Sequence, residues 1–237
     1  MRSWIKPALF IACLIPLAQL VYGFYTDDLT ANPIEYITRF TGSWALIILI
    51  TSLAVTPLRK IFGWNTLIRY RRMLGLFAFF YIAMHFAWYL CVDQAFAWSQ
   101  LLADIAKRPF ITAGFLAFVL LVPLAFTSTQ AAMRRLGRRW QKLHRLVYPA
   151  AVLGCVHYWW QVKADVREPL VYAGIAAVLL GWRALRAWRR RRATAGRKSS
   201  VAGTGTDGRE RDRRQDQQPS RPGPGVQRLA DQPPAEQ

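Results

Sequence analysis

The sequence has little acid, little histidine and little cysteine. Thirteen Asp and Glu stand against 32 Lys and Arg in 237 residues, a formal net charge of +19, beside a hydrophobic content of 53%. One soluble domain cannot seat both properties together, so they must be segregated along the chain. The three cysteines, Cys13, Cys91 and Cys155, form no C-x-x-C or C-x-x-C-H pattern, which argues against a disulfide framework, a zinc site or covalently attached haem. They read as small apolar filler. No glycine-rich dinucleotide fingerprint and no P-loop occurs, so the chain is expected to carry no nicotinamide-binding module of its own. Paired repeats with interrupted spans, the mark of many transporters, are not apparent either.

What is present is a series of apolar blocks, at about 7–25, 41–58, 73–92, 110–126, 143–162 and 170–188. Each is apolar all round over roughly the 20 residues that cross a hydrocarbon core, which predicts an all-α integral membrane protein with a bundle of six transmembrane helices. The first block runs into Tyr22, Phe24 and Tyr25 with no small-residue cleavage site, so it reads as an uncleaved span. Lys and Arg are retained on the cytoplasmic side of short loops. Arg59, Lys60, Arg69, Arg71 and Arg72 fill the second loop, and Arg134, Arg135, Arg138, Arg139 and Lys142 the fourth. The odd loops hold Asp27, Asp28 and Glu35 with Arg39, then Asp93 and Asp104 with Lys107 and Arg108, then Lys163 and Arg167 offset by Asp165 and Glu168. Even loops and both termini are therefore expected in the cytoplasm. The run Arg189 to Arg192 follows the last span, where it anchors a helix end against anionic lipid and needs no nucleic acid. Residues 1–190 form the membrane domain. The polar, basic stretch 191–237, rich in Gly, Pro, Gln and Arg, is expected to be a disordered tail, because it cannot bury enough surface to offset the entropy of ordering.

The three histidines, His85, His144 and His157, all fall in the third and fifth blocks. An ionisable group within a span faces a partner, a cavity or a cofactor. At 1.5 Å per residue, His85 lies about 18 Å along the third span and His157 about 21 Å along the fifth. The two spans run parallel, so both imidazoles reach one level in the outer half of the bilayer. That arrangement suits the two axial ligands of a six-coordinate haem b seated inside a helical bundle. His144 stands thirteen residues before His157, on a face about 140° away in an unbroken helix, although Pro149 between them is placed to kink it. It is either a ligand of a second haem or a hydrogen-bond partner. Arg71 occupies the level of an opposing ligand in span three, while Arg72 and Arg145 are either propionate partners or cytoplasmic anchors.

The stretches Arg71-Arg72-Met73-Leu74-Gly75-Leu76, Lys107-Arg108-Pro109-Phe110-Ile111-Thr112, Pro123-Leu124-Ala125-Phe126-Thr127-Ser128 and Trp140-Gln141-Lys142-Leu143-His144-Arg145-Leu146-Val147-Tyr148, with His85 and His157, resemble the MsrQ (YedZ) family over about residues 1–190. That family lies within the ferric-reductase-like transmembrane group. The resemblance implies a bacterial inner-membrane cytochrome that passes electrons from quinol in the respiratory pool through haem b to MsrP, a periplasmic molybdopterin methionine-sulfoxide reductase. Repair of oxidised periplasmic proteins would follow. FMN is implied as a further cofactor, with no motif for it in the chain. The larger oxidase relatives hold two haems on four histidines, a pattern from which this chain departs at Arg71. The competing expectation is a ferric or cupric reductase type of membrane cytochrome fed by a separate flavin reductase.

Overall fold

The computed structural model describes the backbone of residues 4–162 and 165–216, and side chains through residue 193. Nine α-helices occur among the described residues: α1 (Ile5–Tyr25), α2 (Pro33–Phe62), α3 (Arg71–Trp88), α4 (Trp98–Lys107), α5 (Pro109–Phe126), α6 (Gln130–Leu136), α7 (Arg138–Leu143), α8 (Val147–Gln161) and α9 (Arg167–Asp216). Their ends follow local chemistry. Pro33 opens α2 behind Asn32, whose side chain accepts the Glu35 N–H at 3.3 Å. Gly63, at φ +72°, closes the same helix in the left-handed conformation that glycine alone adopts freely.

Among the described residues five segments are long and apolar enough to cross a membrane: Ile5–Tyr25, Pro33–Phe62, Arg71–Asp93, Pro109–Phe126 and Arg167–Ala193. The fifth expected span differs. The backbone turns as a 3₁₀ helix over His144–Leu146, and α8 begins only at Val147, giving 15 residues. That is about 22 Å of rise, short of a ~30 Å hydrocarbon core by itself. Pro149 sits in the first turn of α8, where a missing N–H is tolerated. The break between His144 and His157 is thus a helix start and not a kink within one helix.

The chain divides into two compact units, Met1–Arg183 and Ala184–Gln237. In the second, the backbone stays helical through Asp216, where the composition predicts a disordered tail from 191. The remainder of the expected tail, 217–237, lies outside the described residues.

Within the first unit the most extensive contacts join α2 to α3 and α5 to α8. Fully buried alanines, Ala78, Ala117, Ala150 and Ala151, let these helices approach closely, since packing and not hydrophobic exclusion drives helix association in lipid. Tyr81, with no exposed surface, ties α1 to this pair. Its hydroxyl donates to the Cys13 carbonyl at 2.8 Å and accepts the Leu17 N–H at 3.1 Å, standing in the α1 ladder beside Pro16. Farther along the chain, Arg183 donates to the Leu53 carbonyl and the Tyr148 hydroxyl, each at 2.6 Å, so α9 is fastened to α2 and α8.

Candidate functional site

The helix pairs bring His85 of α3 and His157 of α8 face to face across the bundle. Their ring centroids are 6.2 Å apart, with the planes nearly perpendicular at 76°. The level match expected from helix rise is therefore met in three dimensions. Each ring is held by its Nδ1. That of His85 lies 2.9 Å from the Thr38 carbonyl and that of His157 lies 2.7 Å from the Phe110 carbonyl. A carbonyl only accepts, so Nδ1 carries the proton in both rings and Nε2 keeps its lone pair for a ligand. Backbone tethers of this kind fix the tautomer and orientation of metal-binding imidazoles.

Two glycines make room for the rings. A Cβ on Gly42 would stand 3.1 Å from Nδ1 of His85, and a Cβ on Gly114 would stand 2.8 Å from Nδ1 of His157. Each glycine lies one helical turn after the carbonyl that holds its histidine. The backbone of α2 and of α5 thus does two things at one place: it offers an acceptor and leaves the space to reach it.

These triplets form a repeat. Phe110, Gly114 and His157 each lie 72 residues beyond Thr38, Gly42 and His85, and each histidine lies 47 residues beyond its carbonyl. The same offset relates buried Ala45 to Ala117, Leu49 to Leu121 and Ala78 to Ala150. The hairpin pairs α2–α3 and α5–α8 are quasi-equivalent, which corrects the expectation that no internal symmetry exists. Five such identities at an offset of 72 residues are invisible until contacts show which positions matter.

The two histidines open on a cavity of about 650 Å³. Its walls are mostly apolar, with Phe40, Ile82, Phe86, Phe115, Phe118 and Leu121 among them. Two imidazoles bound trans to one metal, with metal–nitrogen bonds of about 2.0 Å, have centroids about 6 Å apart, and the observed spacing agrees. Among the described residues no cluster of three or more His, Cys, Asp or Glu is set to hold a bare metal ion. A flat apolar macrocycle carrying its own iron therefore fits the donor set, the spacing and the walls together.

The remaining expected site residues lie elsewhere. His144 sits in the 3₁₀ turn before α8, with Nε2 3.3 Å from the Thr127 hydroxyl and its ring centroid 3.9 Å from that of Trp140. Trp140 in turn donates its Nε1–H to the Thr127 carbonyl at 2.9 Å. Under the 72-residue offset the counterpart of His144 is Arg72, one residue beyond the position read from spacing alone. Arg71, Arg72 and Arg145 do not line the cavity of His85 and His157; the arginines that do are Arg39 and Arg108. Sequence reasoning also missed α4, an amphipathic helix whose Leu101 and Ile105 reach the cavity while Trp98 and Leu102 are exposed. Its signal was present in the apolar spacing of 101, 102 and 105, but ten residues are too few to stand out between two spans.

The ferric reductase like transmembrane component family matches residues 41–155, which include His85 and His144 and stop two residues before His157. A protein of Herminiimonas arsenicoxydans is 53% identical over 203 residues, covering 84% of this chain and 91% of the relative. One of Rhodospirillum rubrum is 55% identical over 186 residues, covering 78% and 89%. One of Bordetella pertussis is 50% identical over 189 residues, covering 79% and 92%. All three are named protein-methionine-sulfoxide reductase heme-binding subunit MsrQ. No solved structure matches the chain. With most of both chains aligned at this identity, and with its apolar helices, the chain is a multi-pass protein of the bacterial inner membrane and belongs to the MsrQ family.

Proposed function

We propose that this protein is the haem b electron carrier of a methionine-sulfoxide reductase system, taking electrons from the quinone pool and delivering them to a periplasmic molybdopterin partner, MsrP. Residues 1–190 serve as the membrane domain, crossing six times with both termini in the cytoplasm. The paired imidazoles of His85 and His157, each tethered through Nδ1 and 6.2 Å apart, carry the reading. Donor and acceptor follow from the family likeness.

Bound haem b would supply one-electron transfer. His85 and His157 would fill both axial positions, which leaves no open coordination site for oxygen or substrate. The Thr38 and Phe110 carbonyls keep both Nδ1 atoms protonated, so neither ring needs to turn or shift a proton as charge passes. Gly42 and Gly114 hold the backbone close behind the rings and keep them aimed into the cavity. The apolar walls exclude water and limit the reorganisation that accompanies a change of charge.

The test is spectroscopic. The purified full-length protein should give a reduced low-spin spectrum with sharp visible bands and bind at least one haem per chain by pyridine haemochrome assay. His85→Ala and His157→Ala should each lose that spectrum together with electron delivery to the periplasmic partner. Full haem retention in both variants would rule out the pairing.

A further inference from the structure

Arg39 and Arg108 are the two arginines that line the cavity of His85 and His157. Basic side chains are scarce in the odd loops, on the side from which α2 and α5 start, and these two stand at the cavity itself. Arg39 follows Thr38, whose carbonyl holds His85; Arg108 precedes by two residues Phe110, whose carbonyl holds His157. Each therefore lies within a turn of one axial-ligand tether, on opposite hairpins. The 72-residue offset places Ile111 and Tyr36 at the counterpart positions, so the two arginines are not products of the repeat.

Both guanidinium groups are half-exposed and paired with an acid on their own helical turn. Glu35 meets Arg39 at 2.6 Å and Asp104 meets Arg108 Nε at 3.1 Å, each four residues earlier on the chain. Asp104 is itself held by the Tyr89 hydroxyl and the Gln94 amide, both at 3.1 Å. The cavity also carries the acids Asp93 and Glu168, and Glu168 accepts from the Tyr158 hydroxyl at 2.9 Å. Arginine presents several donors in a rigid fork suited to carboxylates, and one edge meeting an acid leaves donors for a second anion.

We propose that Arg39 and Arg108 bind the two propionate carboxylates of the haem held by His85 and His157, so that its charged edge points toward the starts of α2 and α5. This rests on the axial pairing proposed above and adds the orientation of the macrocycle. The arrangement breaks the near symmetry of the two hairpins, which by themselves offer similar surroundings to both ends of a porphyrin. It also makes both arginines determinants of potential, because positive charge beside the cofactor favours its reduced form.

The haem-loaded full-length protein in detergent provides the test. Arg39→Gln and Arg108→Gln should keep the low-spin spectrum while shifting the propionate-bending band in resonance Raman. Each should move the reduction equilibrium toward the ferric form threefold to tenfold, the upper limit being about 59 mV lower for one electron. Arg39→Lys should preserve most of the potential, since charge is retained. Wild-type protein given haem b dimethyl ester, whose carboxylates are blocked, should hold it at least tenfold more weakly than haem b. This last measurement needs no variant to fold. Unchanged band and potential in the double variant, or equal retention of ester and acid by the wild type, overturns the assignment while the axial pairing stands. A wild type without a low-spin spectrum overturns both.

Discussion

The two ends of the bundle use histidine differently. At one end His85 and His157 face each other, each tethered by Nδ1 to a helix carbonyl and backed by a glycine, with a wide apolar cavity before them. At the other, His144 lies against Trp140 and the Thr127 hydroxyl, with arginine at the quasi-equivalent position 72. The depth of a histidine along its span thus does not by itself fix its surroundings. What separates the two ends is the supporting backbone: an acceptor for the second nitrogen and space behind the ring, supplied twice by the same local pattern.

The comparison is broken most strongly at the glycines. Gly114→Val should reduce haem per protein tenfold or more, because the nearest approach of even a Cβ to the His157 ring is 2.8 Å. Gly42→Ala should cause a smaller loss, its closest approach being 3.1 Å, and Gly75→Ala, which meets nothing within 4 Å, should leave haem content unchanged. A pyridine haemochrome assay normalised to protein measures all three, and equal effects at positions 42, 75 and 114 would remove the glycines from the site. His144→Ala sharpens the contrast from the other end. It should leave the low-spin spectrum of the His85 and His157 pair intact, while a fall of haem per chain to about one half would identify His144 as the ligand of a second haem.

Two smaller effects concern the scaffold. Tyr81→Phe removes a hydroxyl that serves two backbone groups of α1, and should cost about 1–3 kcal/mol of stability, read as a lower thermal midpoint of haem release. An unchanged midpoint would mean that the Cys13 to Leu17 step of α1 closes on itself. Truncation after Arg192 should change haem content least of all, because every residue of the cavity lies before it. A substantial loss in the truncated protein would assign the polar segment a part in holding the fold.

The legible and the hidden parts of this molecule divide on physical lines. The apolar blocks could be read directly, because lipid demands long runs without charge whatever the neighbours are. The shared level of His85 and His157 was also legible, since helix rise is constant. The break at His144–Leu146 was not: Pro149 is compatible with a kinked helix or with a new helix start, and packing chose the second. Thr38 and Phe110 left no trace because a carbonyl has no side-chain signature, and Gly42 and Gly114 looked like ordinary small residues of membrane helices.

By itself the chain determined where its apolar blocks fall, how far along them the histidines lie, and where basic residues gather, because these follow from bond geometry and from the cost of placing charge in hydrocarbon. Only the tertiary structure decided what holds each ring, which nitrogen each leaves free and which arginines reach their cavity. Those depend on the rotation of each helix about its own axis, which is set by close packing of alanines and glycines against their neighbours.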